Sequence, residues 1–246
     1  MATILGVPFS TKTMKEAIDV VHQHLETATT PFHVVTANPE IVMNAKRNRK
    51  FRILVKEADM VTADGIGVVI GSRILKQGIP ERVAGADLIK GIWTKRGEEK
   101  KRTKLFLLGA KEESVSVAAK NVQEQYPHID VVGYHHGYFQ PGSDTEAEIV
   151  KTISTLQPDM ILVGFGSPRQ EEFISTYKND LRAKVLIGCG GVIDVLSGTV
   201  KRAPVFFQKM NLEWAWRLLS QPTRWKRQLD IPRFLIEVMK EKRKSM

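Results

Sequence analysis

Cysteine is almost absent: Cys189 is the single one in 246 residues. One thiol makes no intrachain disulfide, so a small disulfide-stapled scaffold is excluded, a reducing cytoplasmic setting is expected, and Cys189 reads as core packing. Long apolar runs are missing too. No stretch reaches the roughly 18 uninterrupted apolar residues of a spanning helix. The opening MATILGVPFSTK has no basic segment ahead of an apolar one, so no secretion signal is expected. The sequence also carries no GxxxxGK[ST], no HExxH, no CxxC and no Asp-x-Asp pair to hold a divalent ion against a diphosphate. Neither a metal site nor a resident cofactor is expected.

What is present suits a folded enzyme-sized body. Hydrophobic residues make up 42% of the chain, enough for a packed core and too many for intrinsic disorder. The net charge of +10 is unevenly placed. Residues 1–200 hold 25 basic and 23 acidic side chains, whereas residues 201–246 hold 12 basic and 4 acidic ones. A near-neutral body with a cationic tail points to a polyanionic partner, either nucleic acid or an anionic membrane face.

Short runs of Val, Ile and Leu alternate with longer segments of helical spacing over residues 1–200. Strands are expected at 3–7, 33–36, 60–63, 104–108, 130–133, 160–164 and 185–188, apolar on both faces as in a covered parallel sheet. Helices are expected at 12–28, 39–57, 66–77, 85–96, 111–126, 144–157 and 169–181, with Pro39 suited to a first turn. The fold class is therefore α/β, with a mostly parallel sheet and helices on both faces. After residue 204 the pattern is helical only, one helix through Trp214 and Leu219 and another over about 223–243, interrupted at Pro222. In the last helix Ile231, Phe234, Leu235, Val238 and Met239 fall opposite Arg233, Lys240 and Arg243, an amphipathic basic helix. Two parts follow: an α/β body over 1–200, which is the place to look for chemistry, and a helical basic appendage over 201–246.

Ligands of open α/β sheets bind beyond the carboxyl ends of the strands. Five expected strands end there in glycine, Asn or Asp: Thr36-Ala-Asn38-Pro39-Glu40, Thr62-Ala-Asp64-Gly65, Gly109-Ala-Lys111, Gly164-Phe-Gly166 and Gly188-Cys-Gly190-Gly191. Such loops let a phosphate or sugar approach the backbone, and the helix starts behind them offer free N–H groups to an anion. The Gly65-x-Gly67-x-x-x-Gly71 spacing departs from the dinucleotide fingerprint, which argues against a nicotinamide enzyme. Asp64 is placed either to take a proton from a substrate hydroxyl or to cap the helix that starts at Ile66. Thr36 and Asn38 suit a sugar or a turn before Pro39. Arg82 suits a phosphate or the open surface. Gln170 and Glu171 open a helix, and Asp194 is a ligand for the substrate or a turn residue. His135 and His136, adjacent on a strand end, point opposite ways, against joint metal binding.

Taken in order, Thr-Ala-Asn-Pro-Glu at 36–40, Ala-Asp-Gly-Ile-Gly at 63–67, Arg-Val-Ala-Gly-Ala-Asp at 82–87 and Gly-Phe-Gly-Ser-Pro-Arg-Gln-Glu at 164–171, then Lys-Arg-Ala-Pro at 201–204 with Leu-Glu-Trp-Ala-Trp-Arg-Leu at 212–218, resemble the WecG/TagA/CpsF glycosyltransferase family. The resemblance runs over essentially the whole chain. It implies a Rossmann-like fold without an Asp-x-Asp metal site, and it is nearest to the members that build the wall teichoic acid linkage unit. The implied reaction is inverting transfer of N-acetylmannosamine from UDP to the 4-hydroxyl of N-acetylglucosamine on undecaprenyl diphosphate. It implies Asp64 as the base, and Thr36, Asn38, Arg82, Gln170 and Asp194 as substrate-binding residues. At Gly191-Val-Ile-Asp194 the sequence departs from relatives that carry an aromatic residue before the Asp.

For the tail, the resemblance implies an appendage that closes over the site and touches an anionic membrane surface, the enzyme being cytoplasmic and peripheral on the inner face. Arg217, Arg224 and Arg227 are spaced so that a helix brings them to nearby faces, and a guanidinium fork suits a lipid diphosphate; the alternative is a solvated basic surface. Self-association is a further implication. Relatives that transfer N-acetylmannosaminuronic acid, glucose or glucuronic acid leave the donor sugar open. A nucleic-acid-binding protein is the rival from another class, and no helix-turn-helix, RNP or zinc signature supports it, so nucleic acid is not an expected partner.

Overall fold

The computed structural model describes residues 1–210, 212–220, 225 and 229–244. Its frame is a six-stranded, wholly parallel sheet of β3 (Phe32–Ala37), β4 (Met60–Ala63), β5 (Thr103–Gly109), β6 (Ile129–His135), β7 (Met160–Gly164) and β8 (Val185–Gly188). The order across it is β4-β3-β8-β7-β5-β6. The strands read as unbroken apolar runs because both faces are covered. On one face Val34, Leu105, Leu107, Leu162 and Ile187 pack under α1 (Met14–Thr27), α5 (Gly85–Glu98), α6 (Glu112–Gln125) and α9 (Val192–Leu196). The alternate residues of the strands face the other way. Val35 and Val61 meet α2 (Pro39–Arg47), α3 (Arg49–Lys56) and α4 (Ile66–Ile74), while Phe106, Ile161 and Leu186 meet α7 (Asp144–Leu156) and α8 (Arg169–Tyr177).

Local chemistry sets the element ends. A capping box starts α1, with Thr13 and Glu16 each accepting the other's backbone N–H. Asn38 caps α2 and Pro39 occupies its first turn. The single helix expected over 39–57 is two helices, because Asn48 leaves helical geometry and its side chain accepts the Phe51 amide to start α3. Nor is the expected strand 3–7 continuous. Leu5 and Gly6 have φ of 49° and 80°, two consecutive positive values that fold the segment into a hairpin of β1 (Ala2–Ile4) and β2 (Val7–Phe9).

Beyond residue 200 lie α10 (Val205–Lys209), α11 (Glu213–Ser220) and α12 (Asp230–Lys244). The expected break at Pro222 lies outside the described residues. Although assigned with the appendage by sequence, α12 is seated on the body. Phe234 and Val238 are fully buried in the cluster that contains α2 and α4. Its polar side is tied down by Arg47–Asp230 and Lys46–Glu237 ion pairs and by Glu241, which accepts the Leu5 amide. No helix among the described residues is long and apolar enough to cross a membrane.

Candidate active site

Because all six strands run the same way, their carboxyl ends share one rim, and α2, α4, α6, α8 and α9 each begin there. Their first amides and positive dipole ends face the same edge, a setting suited to an anion. Close backbone approach holds the rim together. A Cβ added at Gly164 would lie 2.8 Å from the Gly190 carbonyl oxygen, so only glycine lets the loops after β7 and β8 meet.

Asp64 follows β4. Its amide donates to the Ala37 carbonyl at 2.9 Å and its Oδ2 accepts the Gly85 amide at 3.3 Å. Gly65, and not Asp64, is the N-cap of α4. Gly65 enters the helix with φ of 119°, a backbone conformation that favours glycine.

Thr36 and Gln170 are linked to this carboxylate through Gly85 and Gly188. Thr36 Oγ1 lies 3.0 Å from where a Cβ of Gly85 would be, and it donates to the Gly188 carbonyl at 3.1 Å. Gly188 in turn lies against the Gln170 amide group. Both ends of that buried amide are committed inside the protein: Oε1 accepts the Gly190 N–H at 3.0 Å and Nε2 donates to Glu171 at 2.9 Å. Gln170 therefore acts on the rim by fixing the loop after β8. Asp194 sits in the first turn of α9. Its carbonyl accepts Val200 N–H and Ser197 Oγ, and its Oδ2 is 4.0 Å from the position of a Gly191 Cβ. Asn38 Oδ1 accepts the Ile41 amide at 2.9 Å, so the turn-forming alternative holds for that oxygen.

Arg82 is not an open surface residue. The Val83 amide donates to the Ala63 carbonyl at 2.9 Å, which lays this loop beside the end of β4. The Arg82 guanidinium donates to Glu213 of α11 at 2.9 Å and lies 3.6 Å from Asp87. Arg217 is in α11, and Arg224 and Arg227 lie outside the described residues.

Three groups escaped sequence reasoning. Burial pushes the Glu171 carboxyl up to about 7, and its Oε2 has no hydrogen-bond partner among the described residues. The neighbouring Gln170 was expected to open a helix and, by the resemblance, to bind substrate; its hold on Gly190 was not legible, because that glycine is 20 residues away. Arg169 grips the loop after β6 by donating to the carbonyls of Gly137 and Phe139, each at 2.6 Å, with its guanidinium against the Phe139 and Phe165 rings. Arg202 and Glu213 complete an ionic group with Arg82 and Asp87. Cys189 is buried just after β8, where desolvation raises its thiol to about 12 and leaves it a packing residue.

A family model described as "Glycosyl transferase WecG/TagA/CpsF family" matches residues 2–246. Similar proteins include one from Bacillus spizizenii (strain W23), 39% identical over 86% of this chain and 80% of the relative. Others come from Bacillus subtilis (strain 168), 36% identical over 98% and 92%, and Staphylococcus aureus (strain MW2), 38% identical over 98% and 93%. All three are named N-acetylglucosaminyldiphosphoundecaprenol N-acetyl-beta-D-mannosaminyltransferase.

Proposed function

The chain belongs to the WecG/TagA/CpsF glycosyltransferase family, and from that premise we propose that it transfers N-acetylmannosamine to N-acetylglucosamine carried on undecaprenyl diphosphate. UDP-N-acetylmannosamine is the donor, and the step belongs to synthesis of the wall teichoic acid linkage unit. The observation that carries this reading is the Asp64 carboxylate at the end of β4, on a rim of glycine loops and helix starts.

In the proposed reaction Asp64 draws the proton from the 4-hydroxyl of the acceptor sugar as that oxygen attacks the anomeric carbon. The new bond forms on the face opposite UDP, the anomeric carbon–oxygen bond to the diphosphate breaks, and UDP leaves with inversion. Negative charge grows on the departing diphosphate. Amides at the starts of α4, α8 and α9, already oriented by the sheet, are placed to receive it, so the reaction proceeds without a resident metal or cofactor. Thr36, Asn38 and Asp194 flank the donor and Gln170 holds the loop that shapes its pocket, while Arg82 holds the loop beside Asp64 on the acceptor side. Arg217, Arg224 and Arg227 pair with the lipid diphosphate.

The acceptor cannot leave the bilayer, so the enzyme works peripherally at the cytoplasmic face. Exposed Phe206, Met210, Trp214, Leu219, Trp225 and Leu229 support contact with lipid through the segment around α10 and α11. The test is a panel of UDP-sugars offered with a lipid-diphosphate N-acetylglucosamine acceptor, with and without EDTA. UDP-N-acetylmannosamine is expected to be the preferred donor and to remain active in EDTA. Preference for UDP-glucose, UDP-glucuronate or the mannosaminuronate would replace the donor assignment, and abolition by EDTA would overturn the metal-free step.

A further inference from the structure

Four charged side chains join the segment after residue 200 to the loop beside Asp64. Glu213 of α11 accepts from Arg82 at 2.9 Å and lies 3.3 Å from Arg202. Asp87 lies 2.7 Å from Arg202 and 3.6 Å from Arg82. Each carboxylate thus bridges both guanidiniums, and the group is neutral as a whole. It is partly withdrawn from water: the side chains of Arg82 and Glu213 are 15% and 14% exposed, those of Arg202 and Asp87 23% and 35%. In such a setting the loss of one carboxylate leaves two guanidiniums sharing the single remaining one, with a net positive charge that is only partly screened by solvent.

The position of the group gives it a further consequence. Arg82 and Asp87 flank residues 83–85, the segment whose amides bind Ala63 and Asp64. Arg202 and Glu213 bracket α10 and open α11, and Arg217 follows Glu213 by four residues on the same helix. We propose that Glu213 is a positioning residue for the acceptor: by bridging Arg82 and Arg202 it registers α11 against the loop beside Asp64, and so sets where the diphosphate-binding turn lies relative to the base. This rests on the transfer reading above. Because the bridge acts on the appendage side of the site, its loss falls on the acceptor and not on the sugar nucleotide.

The experiment pairs hydrogen exchange of residues 213–220 with steady-state kinetics of Glu213→Gln, an isosteric change that removes only the charge. Exchange across α11 is expected to quicken about tenfold as the helix lifts more often. The KM for the lipid acceptor is expected to rise about fivefold or more, with the KM for the UDP-sugar within about twofold of wild type. Asp87→Asn removes the other bridging carboxylate and is expected to move both readouts the same way, so it decides the matter if Glu213→Gln does not fold. An unchanged acceptor KM, or a rise shared equally by donor and acceptor, overturns the proposal. If the wild-type protein transfers no sugar the activity reading fails instead, and exchange alone judges the latch: faster exchange of 213–220 in the variants supports it, and wild-type exchange overturns it.

Discussion

Glu171 and His33 are buried groups that the fold holds neutral by opposite shifts. Burial raises the Glu171 carboxyl to about 7 from 4.5 and lowers the His33 imidazole to about 4 from 6.5. Below pH 4.5 the acid is neutral folded or unfolded. As pH rises from there toward 7 only the unfolded chain ionises it, so Glu171 removes stability over that window, by about 1.4 kcal/mol per unit of separation. His33 works the other way: the unfolded chain gains its proton as pH falls from 6.5 toward 4, so stability is lost in that direction. The two effects oppose each other between pH 4.5 and 6.5. Glu171→Gln keeps the oxygen that accepts from Gln170 and removes one of them. Denaturant titrations from pH 4.5 to 7.5 are expected to show the variant gaining on wild type as pH rises; parallel curves would show that Glu171 ionises freely in the fold. Neither shift was legible in the sequence, which marks Glu171 only as an acid in a first helical turn. The residue types of the rim were legible, as Asp64 and Thr36 were, and so was the local turn that Asn38 makes with Ile41, but not the loop-fixing role of Gln170, whose partner Gly190 is 20 residues away.

At the scale of elements, the six sheet strands could be read from their apolar runs because each is sandwiched, and the structure places them within a few residues of expectation. The hairpin at Leu5-Gly6 and the break at Asn48 could not, because apolar spacing continues through both and only φ or a cap marks the change. The helix α12 carries a more general lesson. Its apolar stripe has the same period whether it meets lipid or protein, and what decides the matter here is Gly71 on α4. A Cβ at that glycine would lie 2.8 Å from the Phe234 ring, so the absent side chain makes the socket for the aromatic. Phe234→Ala is expected to cost about 3–5 kcal/mol, and Gly71→Ala to destabilise by forcing the ring out. Since both act on one contact, the double variant is expected to lose clearly less than the sum, with the methyl group introduced on α4 occupying part of the vacated space. Additive losses in chemical denaturation would show that α12 is not held there.

For the whole molecule, the sequence separated a nearly neutral body from a basic tail, and the structure adds that the tail is held to the body at two places. Acidic groups of α12 face Lys46 and Arg47, and Glu213 faces Arg82, so part of the tail's function is ionic attachment to its own chain. The residues around α10 and α11 include several exposed large apolar side chains, among them Phe206, Trp214 and Leu219. In the proposed function this side of the molecule meets the acceptor, and no helix among the described residues is long and apolar enough to cross a membrane. Everything converges on the carboxylate after β4. The most direct measurement is single-turnover transfer from UDP-N-acetylmannosamine to the lipid acceptor by Asp64→Asn, alongside UDP binding by calorimetry. Loss of a general base predicts a rate roughly 100-fold to 10,000-fold below wild type with UDP affinity retained. Transfer within about twofold of wild type, with UDP still bound, would contradict the assignment of Asp64 as the base.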